Sequence, residues 1–262
     1  MMNNFFTMFS ELRISRSVLM QLVKQQLTLR YRRTILGYLW TLINPLLMMS
    51  ITAVVFSNLF KLDLKTYAVY LFAGMIPWNC FSAIISQSSS SFIYNEGLIK
   101  KIYLPKIIFP LSTSLGILID SGLSFIALFL IILAIGGHLS WALLFIPIAF
   151  FILFLFALGI ALISSVATVF FRDLQHVIPI MMQAWFFLSP VMYKNETLAG
   201  KVAWLVSYNP IVPFIELFRA PLCSGNLPHI STLTSACLFT IVSLFFGFLF
   251  FLRQEDKLVF RL

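Results

Sequence analysis

The chain has 262 residues, of which 60% are hydrophobic and 10% charged, and a formal net charge of +9. A soluble domain carries roughly 45–50% apolar and about 25% charged residues, so these charges cannot cover a water-exposed surface of this size and lipid is the expected solvent for much of it. The positive excess points either to nucleic acid or to membrane topology, and the positions of the charges decide between them.

Residues 1–37 mix Arg13, Arg16, Lys24, Arg30, Arg32 and Arg33 with scattered apolar residues. They hold no compact apolar run with a small-residue cleavage site, so the first span is expected to serve as the targeting signal. Within 15–33, Leu19, Val23, Leu27 and Tyr31 recur every fourth residue, with Gln21, Lys24, Gln25, Thr28 and Arg32 largely opposite. That stripe predicts a basic amphipathic helix at the membrane interface, able also to touch a partner. The alternative is a plain positive flank to the first span.

A crossing needs about 20 apolar residues. Six candidates follow, at 38–60, 67–92, 107–135, 141–171, 177–192 and 232–252, the fourth long and the fifth short. The reading is a single transmembrane domain, 1–262: a cytoplasmic segment 1–37 with its interfacial helix, a six-span bundle 38–252 and a tail 253–262. Six crossings place both termini on one side. That side collects 13 Lys and Arg and the other 5, which puts the termini in the cytoplasm. The positive charge then needs no nucleic acid.

The connecting segments carry the finer signals. The small polar stretch 86–91 ends the second span, where such residues allow close helix packing or line a substrate path. After it, Asn95 is expected as an N-cap, with Glu96 at the positive end of the helix dipole. Leu98, Ile99 and Ile102 alternate with Lys100 and Lys101, and Pro105 closes the turn. This predicts a one- to two-turn helix on the cytoplasmic surface. Segments 198–206 and 211–222 lie outside yet are apolar, too short to span and interrupted by Pro210, Pro213 and Pro221. They are expected as re-entrant half-helices surrounded by protein or a water-filled cavity. Glu216 and Arg219, three apart, are expected to pair on one face.

Catalytic signatures are missing. There is no GxxxxGK(S/T) phosphate loop, no HExxH and no GxSxG. Cys80, Cys223 and Cys237 form no CxxC pair and are expected as small apolar core residues. Asp120 is the one acidic residue deep in a predicted span, a functional candidate by default and equally a structural hydrogen-bond partner. Aromatic residues make up 16% of the chain. Trp40, Trp78, Trp141 and Trp204 fall near predicted interfaces, as a lipid belt or as rings along a conduit.

Taken in order, several stretches form a pattern: Leu36 to Trp40 with Asn44-Pro45, Gly74 to Trp78, Asn95 with Leu98 to Lys101 and Pro105, Phe171-Arg172-Asp173, Ser189 to Tyr193, and Asn209-Pro210. Through them the chain resembles the membrane subunits of type 2 ABC exporters, specifically those for O-antigen, capsule and teichoic-acid polymers, over nearly its whole length. The resemblance implies an all-α integral membrane fold in the bacterial inner membrane. It implies a homodimer bound to two separate ATP-binding cassette subunits, which would hold ATP and Mg, with no cofactor on this chain and a lipid-linked glycan as cargo. It assigns Asn95, Glu96, Leu98, Lys100, Lys101 and Ile102, with the N-terminal helix, to coupling with those subunits, and the external half-helices, with Glu216 and Arg219, to a gate. Since a threading polymer needs many weak contacts, Tyr38, Trp40, Trp204, Tyr208 and Phe214 are the expected conduit rings. Competing readings are a drug or small-lipid exporter of the same superfamily, an ion-coupled transporter using Asp120, and a membrane-embedded glycan-modifying enzyme.

Overall fold

The structure, a computed structural model, describes residues 11–30, 36–134, 140–193 and 208–262. Among them every regular element is helical. The chain opens with α1 (Arg16–Arg30), then α2 (Trp40–Phe60) behind a 3-10 turn at Gly37–Leu39, and α3 (Leu64–Ser89). Two short helices, α4 (Ser91–Tyr94) and α5 (Glu96–Ile99), lead to α6 (Ile108–Ala134). The 3-10 turn Trp141–Phe145 enters α7 (Ile146–Phe170), followed by α8 (Leu174–Leu188). Last come α9 (Val212–Arg219), a π-turn at Ala220–Ser224 and α10 (Ile230–Arg261).

Among the described residues five segments are long and apolar enough to cross a membrane: Ile43–Phe60, Leu64–Ser89, Ile108–Leu130, Trp141–Phe170 and Ile230–Glu255. They fall on five of the six predicted spans. The remaining one, 177–192, corresponds to α8, which has 15 residues. At 1.5 Å per residue it reaches about 22 Å, short of a hydrocarbon core of about 30 Å. It stops because Ser189, before Pro190, turns to extended backbone, with ψ 138.

Helix α3 is the centre of the bundle and packs against α2, α6, α7, α8 and α9. Its Phe81 stacks on Phe156 at 5.4 Å, Phe156 on Phe214 at 4.4 Å, and Phe150 meets Phe218 edge-on at 4.8 Å. Much of the aromatic content therefore fills the interior. Trp78 joins it: it is buried against Trp185 and Phe186, not placed in an interfacial belt, because the inward face of α3 carries it. Helices α7 and α10 touch backbone to backbone where Gly159 meets Gly247. Beside that contact the Ser243 hydroxyl donates to the Phe156 carbonyl at 2.8 Å. Of the cysteines, Cys80 is buried while Cys223 is exposed on the π-turn, where no core covers it.

A second apolar cluster closes one end of the bundle, joining Leu22, Phe92, Phe109, Val166, Phe251 and Leu258. Phe92 contacts Phe109 at 6.2 Å and Phe251 at 6.5 Å, and Lys106 Nζ donates to the Glu255 carbonyl at 2.8 Å. Lys100, Lys101, Arg253 and Lys257 stand on this basic end. Within the tail expected at 253–262, residues 253–261 are the last turns of α10, anchored by buried Leu258. Helix α1 docks here too. Val18, Leu19, Leu22 and Val23 turn inward, and Gln26 donates to Thr113 Oγ1 of α6 at 3.1 Å. The observed stripe keeps Leu19 and Val23 and adds Leu22 and Gln26; Tyr31 lies outside the described residues.

Candidate functional site

At the basic end, α4 and α5 form a small elbow. Asn95 does not cap α5 through its side chain. Its Nδ2 instead donates back to the Ser91 carbonyl at 2.7 Å, while its own carbonyl accepts from Leu98 and Ile99 at 3.0 Å. The backbone there already satisfies the donors a cap would serve. Lys100 bonds Glu96 at 2.6 Å, and that hydrogen bond, ahead of the charge itself, holds the exposed Glu96 carboxyl below the usual range. Leu98 and Ile99 lean on the second cluster, leaving Lys100, Lys101 and Ile102 outward. Tyr94, Tyr103 and Phe171 are also exposed here. Sequence reasoning singled out Phe171 only as part of the Phe171-Arg172-Asp173 stretch and missed Tyr94 and Tyr103, whose signal was an aromatic residue at either edge of the basic loop.

Beneath the elbow lies an open cavity of about 770 Å³. Helix α1 contributes Leu22, Gln25, Gln26 and Leu29. The end of α3 and the elbow contribute Ser86, Gln87, Ser90, Ser91, Tyr94 and Asn95, while Thr113, Gln175 and Pro179 complete the wall. Among the described residues no lining side chain is formally charged. Within the polar stretch 86–91, Ser88 serves helix packing, bonding Ser114 Oγ at 3.1 Å, and Gln87 lines the cavity.

The opposite end is a clamp. Three side chains capture three successive carbonyls: Arg219 takes Val191 at 2.8 Å, Tyr67 takes Met192 at 2.7 Å, and Tyr70 takes Tyr193 at 3.0 Å. The Arg219 guanidinium also lies 3.8 Å over the Tyr70 ring. Gly74 leaves the room: a Cβ there would sit 2.8 Å from Arg219 and 3.2 Å from the Val191 carbonyl. Asn209 locks the end of α8, donating to Leu188 at 3.3 Å and to Ser189 Oγ at 2.9 Å while accepting from Trp185 Nε1 at 3.0 Å. This bonding explains why Ser189 to Tyr193 and Asn209-Pro210 stand out as motifs.

The clamp corrects two expectations. No ion pair joins Glu216 and Arg219 among the described residues: Glu216 stays exposed while Arg219, 6% exposed, is drawn to the Val191 carbonyl. Phe214 is fully buried on Phe156 and has no face for a passing polymer. Trp40 and Tyr208 are exposed. Tyr38 stands in the turn before α2, and Trp204 with the half-helix expected at 198–206 lies outside the described residues. The half-helix expected at 211–222 corresponds to α9 and the π-turn after it. Asp120 is half-buried in α6, its carbonyl accepting from Ser124 at 3.0 Å.

Comparison with known proteins gives consistent results. A family model described as ABC-2 type transporter matches residues 17–222. The chain is 31% identical over 232 residues to an "O-antigen export system permease protein RfbA" of Klebsiella pneumoniae, covering 87% of this chain and 89% of that protein. A protein of the same description from Myxococcus xanthus is 28% identical over 231 residues, 87% and 89% of the two chains. A "Polysialic acid transport protein KpsM" of Escherichia coli is 24% identical over 251 residues, 90% and 92% of the two.

Proposed function

The chain belongs to the ABC-2 type transporter family, and from that premise we propose that it is the membrane subunit of an ATP-driven exporter carrying a lipid-linked polysaccharide, of O-antigen or capsule type, across the bacterial inner membrane. The observation that carries this reading is near end-to-end similarity to permeases described by O-antigen export and polysialic acid transport. The drug-exporter, ion-coupled and enzymatic alternatives have no such support.

In this reading α8 with the segment after it is a sixth crossing: its first residues share the cavity with Ser91 and Asn95, and Met192 and Tyr193 beyond its end meet Tyr67 and Tyr70 of α3. The basic end is cytoplasmic, as the charge bias requires. The sequence has no phosphate loop, so ATP and Mg bind a separate cassette subunit. The exposed run of Lys100, Lys101, Ile102 and Tyr103 offers such a partner both apolar and charged side chains. Two copies of the chain would pair around the path. In a strain lacking this chain, pulse-labelled lipid-linked glycan is expected to accumulate inside while the surface stays bare. Normal surface glycan in that strain would refute the reading.

A further inference from the structure

The cavity at the basic end is more specific than an exporter entrance needs to be. Its walls carry the carboxamides of Gln25, Gln26, Gln87, Asn95 and Gln175. A carboxamide is donor and acceptor at once, as is a sugar hydroxyl, so clustered amides suit a polyol whichever way its O–H bonds point. Ser91 adds a hydroxyl only 2% exposed, whose Oγ has no hydrogen-bond partner among the described residues. Buried polar atoms seldom stay unpaired, and Ser91 is one of the residues that line the cavity. Tyr94, 80% exposed, offers a ring face to the C–H side of a sugar.

Charge decides the ligand class. Phosphates and carboxylates are held by Arg or Lys, with charge-assisted hydrogen bonds. Among the described residues none lines this cavity, although Lys and Arg are plentiful on the same end of the molecule. The volume of about 770 Å³ lies within the range of about 300–1,000 Å³ usual for small-ligand sites. We propose that this cavity receives an uncharged, hydroxyl-rich sugar unit of the cargo glycan, apart from the glycan's phosphate-bearing carrier. The proposal rests on the polysaccharide-export reading and narrows it. A sugar there would bridge α1 to α3 and α8, so loading would be felt by the helix that Gln26 fastens to Thr113.

The test uses the full-length chain in its own cells, with the cell's radiolabelled glycan as probe. A photo-crosslinking amino acid replaces Gln87 or Tyr94 in the cavity, or Tyr103, which is exposed nearby and outside the lining. Adducts on sugar rings are expected at positions 87 and 94 and not at 103. Adducts confined to phospholipid head groups or to the carrier diphosphate would overturn the proposal, as would equal labelling at 103 or no glycan adduct. In parallel, Ser91→Ala and Gln175→Leu are each expected to slow export about five- to tenfold at unchanged protein level, the worth of one hydrogen bond. A merely structural Ser91 would leave export unchanged on losing its unpaired hydroxyl, and that result overturns its role. The deletion strain separates the failures. If surface glycan persists there, the export reading falls; if export needs the chain but the cavity never labels, only this site falls.

Discussion

The two ends of the bundle use polar groups in opposite ways. At the clamp, Arg219, Tyr67, Tyr70 and Asn209 bond backbone carbonyls, from Leu188 to Tyr193, which a broken helix would otherwise leave open. At the basic end, carboxamides line a cavity, where Gln26 bonds Thr113 and Asn95 bonds the Ser91 carbonyl, and Ser91 Oγ has no hydrogen-bond partner among the described residues. A buried polar group without a partner is costly, and each end holds one among the described residues, Ser91 Oγ and Arg219 Nε. But Arg219 is already tied to the Val191 carbonyl and the Tyr70 ring, whereas Ser91 lines an open cavity, so the clamp resists change and the basic end is suited to meet something else. The comparison assigns stability to one end and recognition to the other.

The sharpest way to break it is Arg219→Leu, which strands the Val191 carbonyl and removes the stack on Tyr70; a loss of about 3 kcal/mol is expected on unfolding in a fixed detergent. Asn209→Ala removes bonds to Leu188, Ser189 and Trp185 and is expected to cost about 2 kcal/mol by the same measurement. Gly74→Ala pushes against Arg219 from behind and is expected to cost about 1–2 kcal/mol. At the other end, Gln87→Ala should move stability by less than about 0.5 kcal/mol while slowing export in cells. Glu216→Gln is the closest control: three residues from Arg219 but exposed, it should also stay within about 0.5 kcal/mol. If Gln87→Ala unfolds the protein as readily as Arg219→Leu, the division between the ends is wrong.

Five spans were legible from runs of apolar residues, because length and hydropathy alone set them. The shorter α8 was legible as an element but not in its bounds, since the turn at Ser189 cuts the run before its apolar residues end. Spacing brought Glu216 and Arg219 together on a helix face, yet burial separated them: only the fold reveals that the Val191 carbonyl lies within reach of Arg219. In the same way, an aromatic residue in a half-helix reads alike whether it faces a conduit or, as Phe214 does, the Phe156 ring. The cavity was foreshadowed at 86–91 only in part. Its other walls come from α1, α6 and α8, and no local pattern records their meeting.

On the proposed function, this chain moves glycan when a partner spends ATP. The direct measurement uses proteoliposomes holding the full-length chain and the cassette subunit that co-purifies with it, loaded with labelled lipid-linked glycan on the cassette side. The account predicts ATP-dependent appearance of the label on the opposite side, read as sensitivity to a glycosidase confined there, and its loss when Lys100→Glu and Lys101→Glu disturb the exposed contact. Movement of the glycan without the cassette subunit or without ATP, or no movement with both present and hydrolysing, would contradict it.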